Sequence, residues 1–474
     1  MENLKAYLSL IDLRLLQHIS GKPGEFIRLF QQKNYLSEEA FMTRICGQKH
    51  SAGYYRELKS RTIAILQRLA LIGAIKGANP VKKKLDNCRK FFVIGQKFLG
   101  NGERLEGLRL IKKSWKIAVQ YDFTYLACEL ASILYHDHIY YHPDEKKADH
   151  FAERVTYYLK AYTAEKQIEH YLYQILGAKN QTLRCERALN AVGAVERMNG
   201  TSVKFKMYEH TIHAHYGFSI SDYEYVIKHC RRVFEFYSDA DGVYSSYIYS
   251  AHKNQGVAHM ALGQYDQAAQ SFAQAQPFAP AKSFNDYLLR LYTTFNMLHS
   301  GQYEIAYTLH KQNKRCRFVL IRDQFAIIEA YLCFLSHTGS LSLDRPFRLG
   351  KYLNETFKAQ RDKQGDNINI LIAELLVYLA RNRGKFIDRI EAVRHYSYRH
   401  LKDRDTQRAK RFLKILYALP RANFHPVALH RLAKTHIDYL KTNPIRMGSN
   451  FAVEIIPFDA LLDMITVYLN QKAA

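Results

Sequence analysis

The run from Tyr249 to Lys282, YSAHKNQGVAHMALGQYDQAAQSFAQAQPFAPAK, constrains this chain more than any other stretch. Gly256 and Ala268 each stand in a segment of helical period, with Gly263-Gln264-Tyr265-Asp266 between them. Glycine takes a positive φ without steric cost, so Gly263 predicts the end of one helix. Asp266 then falls in the first turn of the next, where a carboxylate suits the positive end of the helix dipole. Ala268, Phe272 and Ala275 follow on one face of a 3.6-residue period, and Pro280 predicts the stop. Small residues at 256 and 268 permit two helices to cross closely, with Phe272 filling the space toward a following pair.

The pattern recurs along the chain. Gly301, Tyr303, Ala306 and His310 repeat its first four positions 38 residues later, and Ser221, Tyr223, Val226, Cys230 and Val233 occupy them 42 residues earlier. Gly102, Arg104, Gly107, Ile111 and Ser114 form another copy; Gly384, Phe386, Arg389, Val393 and Tyr396 form a weaker one. A helical pair exposes an apolar face until a neighbour covers it, so such a series predicts stacked units.

Gly256, Gly263, Tyr265, Ala268, Phe272, Ala275 and Pro280 resemble the tetratricopeptide repeat (TPR), with His252 where that family commonly has tryptophan. The layout also resembles a loose group of uncharacterised bacterial TPR proteins with a short helical head. The resemblance implies an all-α fold, a TPR-like α-solenoid wound as a right-handed superhelix of helical hairpins, with a helical N-terminal module. The expected divisions are a module over 1–85, a repeat array over 86–419 and capping helices over 420–474, where Pro420, Pro426, Pro444 and Pro457 shorten the segments.

Within 1–85, Leu4, Leu8, Ile11, Leu15 and Ile19 predict a first helix that Gly21-Lys22-Pro23-Gly24 closes. Ser37 to Leu69 has the outline of a DNA-reading helix-turn-helix. Its second helix opens on Ser51-Ala52-Gly53-Tyr54-Tyr55, however, without the side chains that read base edges. A structural cap is the better reading.

The chain has 474 residues, 47% of them hydrophobic and only 10 of them proline, enough to bury a large core. No run of about 18 apolar residues predicts a membrane span. Asp12 and Arg14 interrupt the apolar N-terminus, and seven scattered cysteines show no CxxC pair, so a reducing, cytoplasmic setting is expected. A formal net charge of +25 implies acidic partners.

The phosphate-binding patterns GxxxxGK[ST] and GxGxxG, the serine-nucleophile pattern GxSxG and the zinc-protease pattern HExxH are all missing, which argues against an enzyme and leaves no cofactor expected. His136, Asp137, His138 and His142 are the densest group of metal-ligand types, read here as a loop at a helix end. His210 and His213 share a helix face that His215 leaves, and are read as a solvated face. The TPR resemblance implies partner binding by first-helix residues on the concave face: Tyr249, His252, Lys253, Asn254, Arg290 and Asn296. Asn254 stands out, because a carboxamide pairs with a peptide backbone through one donor and one acceptor. The expected partner is an acidic protein or peptide. Nucleic acid is the alternative, on a basic face between Arg381 and Lys414 with 12 Lys/Arg against 4 Asp/Glu. There Arg394, Arg399, Lys402, Arg404, Arg408 and Arg411 form the expected patch, opposite an apolar stripe of Phe412, Ile415, Leu416 and Leu419.

Overall fold

A computed structural model describes residues 8, 16–32, 38–47, 52–72, 80–176, 181–198, 202–236, 244–313, 316–350, 352–353, 366–400, 406–448 and 454–473. Among the described residues every regular element is a helix and none is a strand. Most of the first helix expected over Leu4–Ile19 lies outside the described residues.

One local device closes six of these helices. Glu103, Phe123, Asp222, Gln264, Gln302 and Phe424 each donate a backbone N–H to the carbonyl five residues back, at 2.8–2.9 Å. The residue before each donor is left-handed: Gly102, Asp122, Ser221, Gly263, Gly301 and Asn423, with φ from +47° to +87°. This is the Schellman closure, which satisfies orphan carbonyls at a helix end. Gly102, Ser221, Gly263 and Gly301 are turn markers visible in the sequence. Gly384 is not one of the set. It sits in the first turn of a helix, and Asn382 makes the junction by accepting from the Lys385 N–H at 3.0 Å.

The contacts divide the chain into two compact units: Met1–Gln167 with Ala194–Phe205 and Ser238–Val243, and Ile168–Gly193 with Lys206–Tyr237 and Tyr244–Ala474. In the first, α1 (Gly21–Gln32), α2 (Glu38–Cys46) and α3 (Ala52–Ile72) surround a small core. Phe26 and Phe41 meet edge-to-face at 4.9 Å inside it. The Gly21–Gly24 run opens α1 instead of only closing its predecessor, because proline in a first turn gives up no helical hydrogen bond. Next come α4 (Pro80–Gly100), α5 (Arg104–Gln120), α6 (Thr124–Tyr140) and the start of α7 (Glu145–Leu176). Helix α4 crosses α5 at Gly95 and Gly107, where an added Cβ would lie 3.1 Å from the opposite backbone. Trp115 packs edge-on against Phe151 and Tyr158, both at 5.7 Å.

The second unit holds the end of α7 and most of α8 (Gln181–Met198) and α9 (Val203–Ile220). Then follow α10 (Tyr223–Glu235), α11 (Ser245–Ala261), α12 (Tyr265–Ala275), α13 (Phe284–His299), α14 (Tyr303–Asn313) and α15 (Val319–His337). After them come α16 (Asp366–Arg381), α17 (Arg383–His400), α18 (Gln407–Arg421), α19 (Pro426–Thr442) and α20 (Phe458–Ala473). Neighbours in sequence pack on one another from α10 through α17, and α11 also touches α13 as α13 touches α15. Gly256 of α11 lies against the ring of Phe272 of α12, so the small residue and the large one predicted to mesh do so. Helix α12 ends at Ala275, ahead of Pro280; a short 3₁₀ turn, Gln276–Phe278, carries Pro277.

Candidate binding cleft

Three helices of the second unit converge on an open cavity of about 380 Å³. The last turns of α7 give Glu169, Leu172, Tyr173 and Leu176, and α9 gives Tyr208, Thr211 and His215. Helix α11 gives Ser246, Tyr247, Ser250, Lys253 and Asn254. Each set repeats at three or four residues, so the wall is three single-face stripes. Tyr208 donates its hydroxyl to Glu169 Oε1 at 3.4 Å and meets the ring of Tyr247 edge-on at 5.3 Å.

The electrostatics are mixed. Burial pushes the Lys253 ammonium down to about 8, with a smaller opposing pull from Cys230. Its nitrogen lies 5.7 Å from the centre of the Tyr292 ring. Burial, helped by Lys253, also holds the His215 imidazole down at about 4, so it is neutral at pH 7. Among the described residues, His215 Nδ1 and Asn254 Oδ1 are buried polar atoms with no hydrogen-bond partner. A buried polar atom left unpaired costs about 1–3 kcal/mol, and such atoms in a cavity wall mark places where a hydrogen-bond partner from outside is worth most. Three elements are thus brought together: one cation, two unmet polar atoms (an amide oxygen and an imidazole nitrogen) and an aromatic flank.

The chain matches no known protein family model, and no curated protein is similar to it in sequence.

Of the six first-helix residues expected to bind a partner, Lys253 and Asn254 line the cleft, and the other four are turned to packing. Tyr249 is buried and donates to the Asn285 carbonyl at 2.8 Å. His252 stacks on Phe234 at 4.1 Å and lies parallel to Phe278. Arg290 forks onto buried Asp286 at 3.0 and 3.1 Å. Asn296 is fully buried and donates to the Tyr265 carbonyl at 2.9 Å. Glu169, Tyr208 and Ser250 were not singled out from sequence. Ser250 stands one turn before Lys253 and was legible by period, whereas α7 and α9 reach the cleft through packing.

The expected basic patch is only partly present. Lys402, Arg404 and the Arg399 side chain lie outside the described residues. Arg394 pairs with Glu391 at 3.5 Å, and Arg411 reaches His436 Nδ1 at 3.2 Å above the ring of Tyr439. Arg408 corrects the stripe outright. It is buried, bound to Glu454 and Asp459, and donates to the carbonyls of Leu440 and Asn443. The reason is periodic: Phe412, Ile415 and Leu419 follow Arg408 at +4, +7 and +11, so Arg408 belongs to the apolar face itself.

The two histidine groups are also resolved. Asp137 is buried and taken by Arg104 at 2.5 Å, with His142 Nδ1 at 3.2 Å, while His138 stacks on Phe151. Among the described residues no three ligand-type side chains are placed to hold a metal ion. His210 and His213 are not a solvated face. His213 stacks on His229 at 4.1 Å, and His210 Nδ1 meets His229 Nδ1 at 3.1 Å. Among the described residues no helix is long and apolar enough to cross a membrane.

Proposed function

We propose that this chain is a non-enzymatic binding protein whose cleft takes an extended peptide segment bearing a carboxylate. The observation that carries the reading is the juxtaposition of Lys253 with the unmet Asn254 carboxamide oxygen and His215 imidazole nitrogen in one cavity wall. A backbone N–H of the guest would donate to Asn254 Oδ1, and a guest carboxylate would accept from Lys253. Tyrosines around the opening supply area at low conformational cost.

On this reading the second unit is a TPR-like solenoid. Three features support it: the recurring Schellman junction, the contact of helices two apart (α11 with α13, α13 with α15), and the Gly256–Phe272 mesh. A cytoplasmic, reducing setting agrees with seven unpaired cysteines. Screening the full chain against an array of acidic and matched neutral peptides, read by fluorescence polarisation, tests the proposal. Acidic peptides should bind, and both Lys253→Ala and Asn254→Ala should weaken them about tenfold or more. Equal binding of neutral peptides, or no effect of either change, would set it aside.

A further inference from the structure

A different surface, in the first unit, points to a different kind of partner. From Pro80 to Gln120 the sequence carries eleven Lys/Arg (82, 83, 84, 89, 90, 97, 104, 109, 112, 113 and 116) against Asp86, Glu103 and Glu106. Three of the cations are tied to carboxylates: Lys90 to Asp86, Arg104 to Asp137 and Arg109 to Glu106. Lys83, Lys97, Lys112 and Lys116 are exposed, and among the described residues none of them has a carboxylate within ion-pair distance.

The fold orders these charges. Helices α4 and α5 run antiparallel in close contact at Gly95 and Gly107, with Cys88 hydrogen-bonded to Ser114 nearer the other end. Lys113 reaches across this seam to place its ammonium 4.2 Å from the centre of the Phe91 ring. That contact marks the outer side of the hairpin. On α4, Lys83, Lys90 and Lys97 are spaced by seven and share one face; on α5, Arg109, Lys113 and Lys116 share another, and since Lys90 and Arg109 are held by Asp86 and Glu106, the cations left open to a ligand are Lys83, Lys97, Lys113 and Lys116. Successive members of the α4 row stand about 10 Å apart along the axis, from 1.5 Å of rise per residue. Between the rows lie half-buried Phe91 and exposed Ile94.

We propose that the outer face of the α4–α5 hairpin binds single-stranded nucleic acid, with phosphates along the lysine rows and bases against the apolar seam. Two parallel cationic rows with an aromatic ring between them match a strand whose charge is linear and whose bases are free to lie flat. An acidic peptide has no comparable regular charge, and a membrane surface calls for an apolar wedge deeper than one phenyl ring and one isoleucine. The inference does not depend on the cleft in the second unit, and neither its success nor its failure bears on that site.

The test titrates the full chain against a fluorescein-labelled single strand of about 15 nucleotides, followed by anisotropy at rising salt. Binding should fall linearly in log–log form. Lys97→Glu/Lys113→Glu/Lys116→Glu should weaken it by roughly tenfold or more and flatten the slope by about 2, at about 0.7 per lost contact. A control with the same change of charge on exposed positions of α19, Arg431→Glu/Lys434→Glu/Lys441→Glu, should stay near the parent. Lys97→Gln/Lys116→Gln repeats the test without charge reversal, and circular dichroism checks folding of every variant. Absence of oligonucleotide binding, an equal loss in the control, or binding to phosphatidylserine vesicles in place of the oligonucleotide would overturn the proposal.

Discussion

Arg408 and Glu454 are joined by two charge-assisted hydrogen bonds, Nε to Oε1 at 2.5 Å and Nη2 to Oε2 at 3.1 Å, with both side chains almost fully buried. The same guanidinium also takes two backbone carbonyls, so it pins α18 to the segment between α19 and α20. Removing one member leaves the other charged and unmet inside the protein. Arg408→Met should therefore cost about 3–5 kcal/mol, read as a lower urea midpoint. Adding Glu454→Leu should return part of that loss. A single variant as stable as the parent would contradict this placement.

Gly256 is a second fixed point. A Cβ built there would stand 2.4 Å from the Phe272 ring, well inside van der Waals contact. Gly256→Ala should destabilise by about 1–3 kcal/mol through overpacking, visible as a lower melting temperature. Pairing it with Phe272→Leu should cost less than the two changes summed, since the smaller side chain clears the space.

Acid should unfold the second unit early. Burial holds His215, His252 and His299 at about 4, against an ordinary imidazole value of 6.5. Below 6.5 the unfolded chain takes up protons that the native chain does not, so stability is level above that pH and falls as pH drops from 6.5 toward 4. The slope approaches about 1.4 kcal/mol per pH unit for each such group. Thermal melts across this window check it, and His252→Phe, which keeps the stack on Phe234, should flatten the dependence. A melting temperature that does not move between these limits would exclude the mechanism.

Peptide binding in the cleft should have an alkaline limit. Lys253 attracts a carboxylate only while protonated, and it loses its proton near pH 8 instead of near 10.5. Affinity for an acidic peptide should decline as pH rises through about 8, and Lys253→Met should bind weakly with no such decline. Polarisation titrations across that range decide between the two curves.

Local rules carried a large part of the fold. Gly102, Gly263 and Gly301 announce left-handed helix ends, and the face Ala268–Phe272–Ala275 predicts a buried stripe that is found. Asp122 and Asn423 make the same junction without a glycine, so their turns were not legible. The site was less accessible than the fold. Helical period separates His215 from His210 and His213, yet it does not say that His215 shares a cavity wall with Lys253 while His213 stacks on His229.

Helix, turn and apolar face were determined by the sequence alone, because they depend on residues within four or five positions of one another. Tertiary structure decided which polar residues remain available. Tyr249, Lys253 and Asn254 share one helix, but Tyr249 is spent on the Asn285 carbonyl while Lys253 and Asn254 face a cavity made with α7 and α9. Arg408 reads as surface by its charge and is core by its neighbours. Whether a polar group serves packing or a partner depends on atoms far away in sequence, and only the folded chain brings those atoms together.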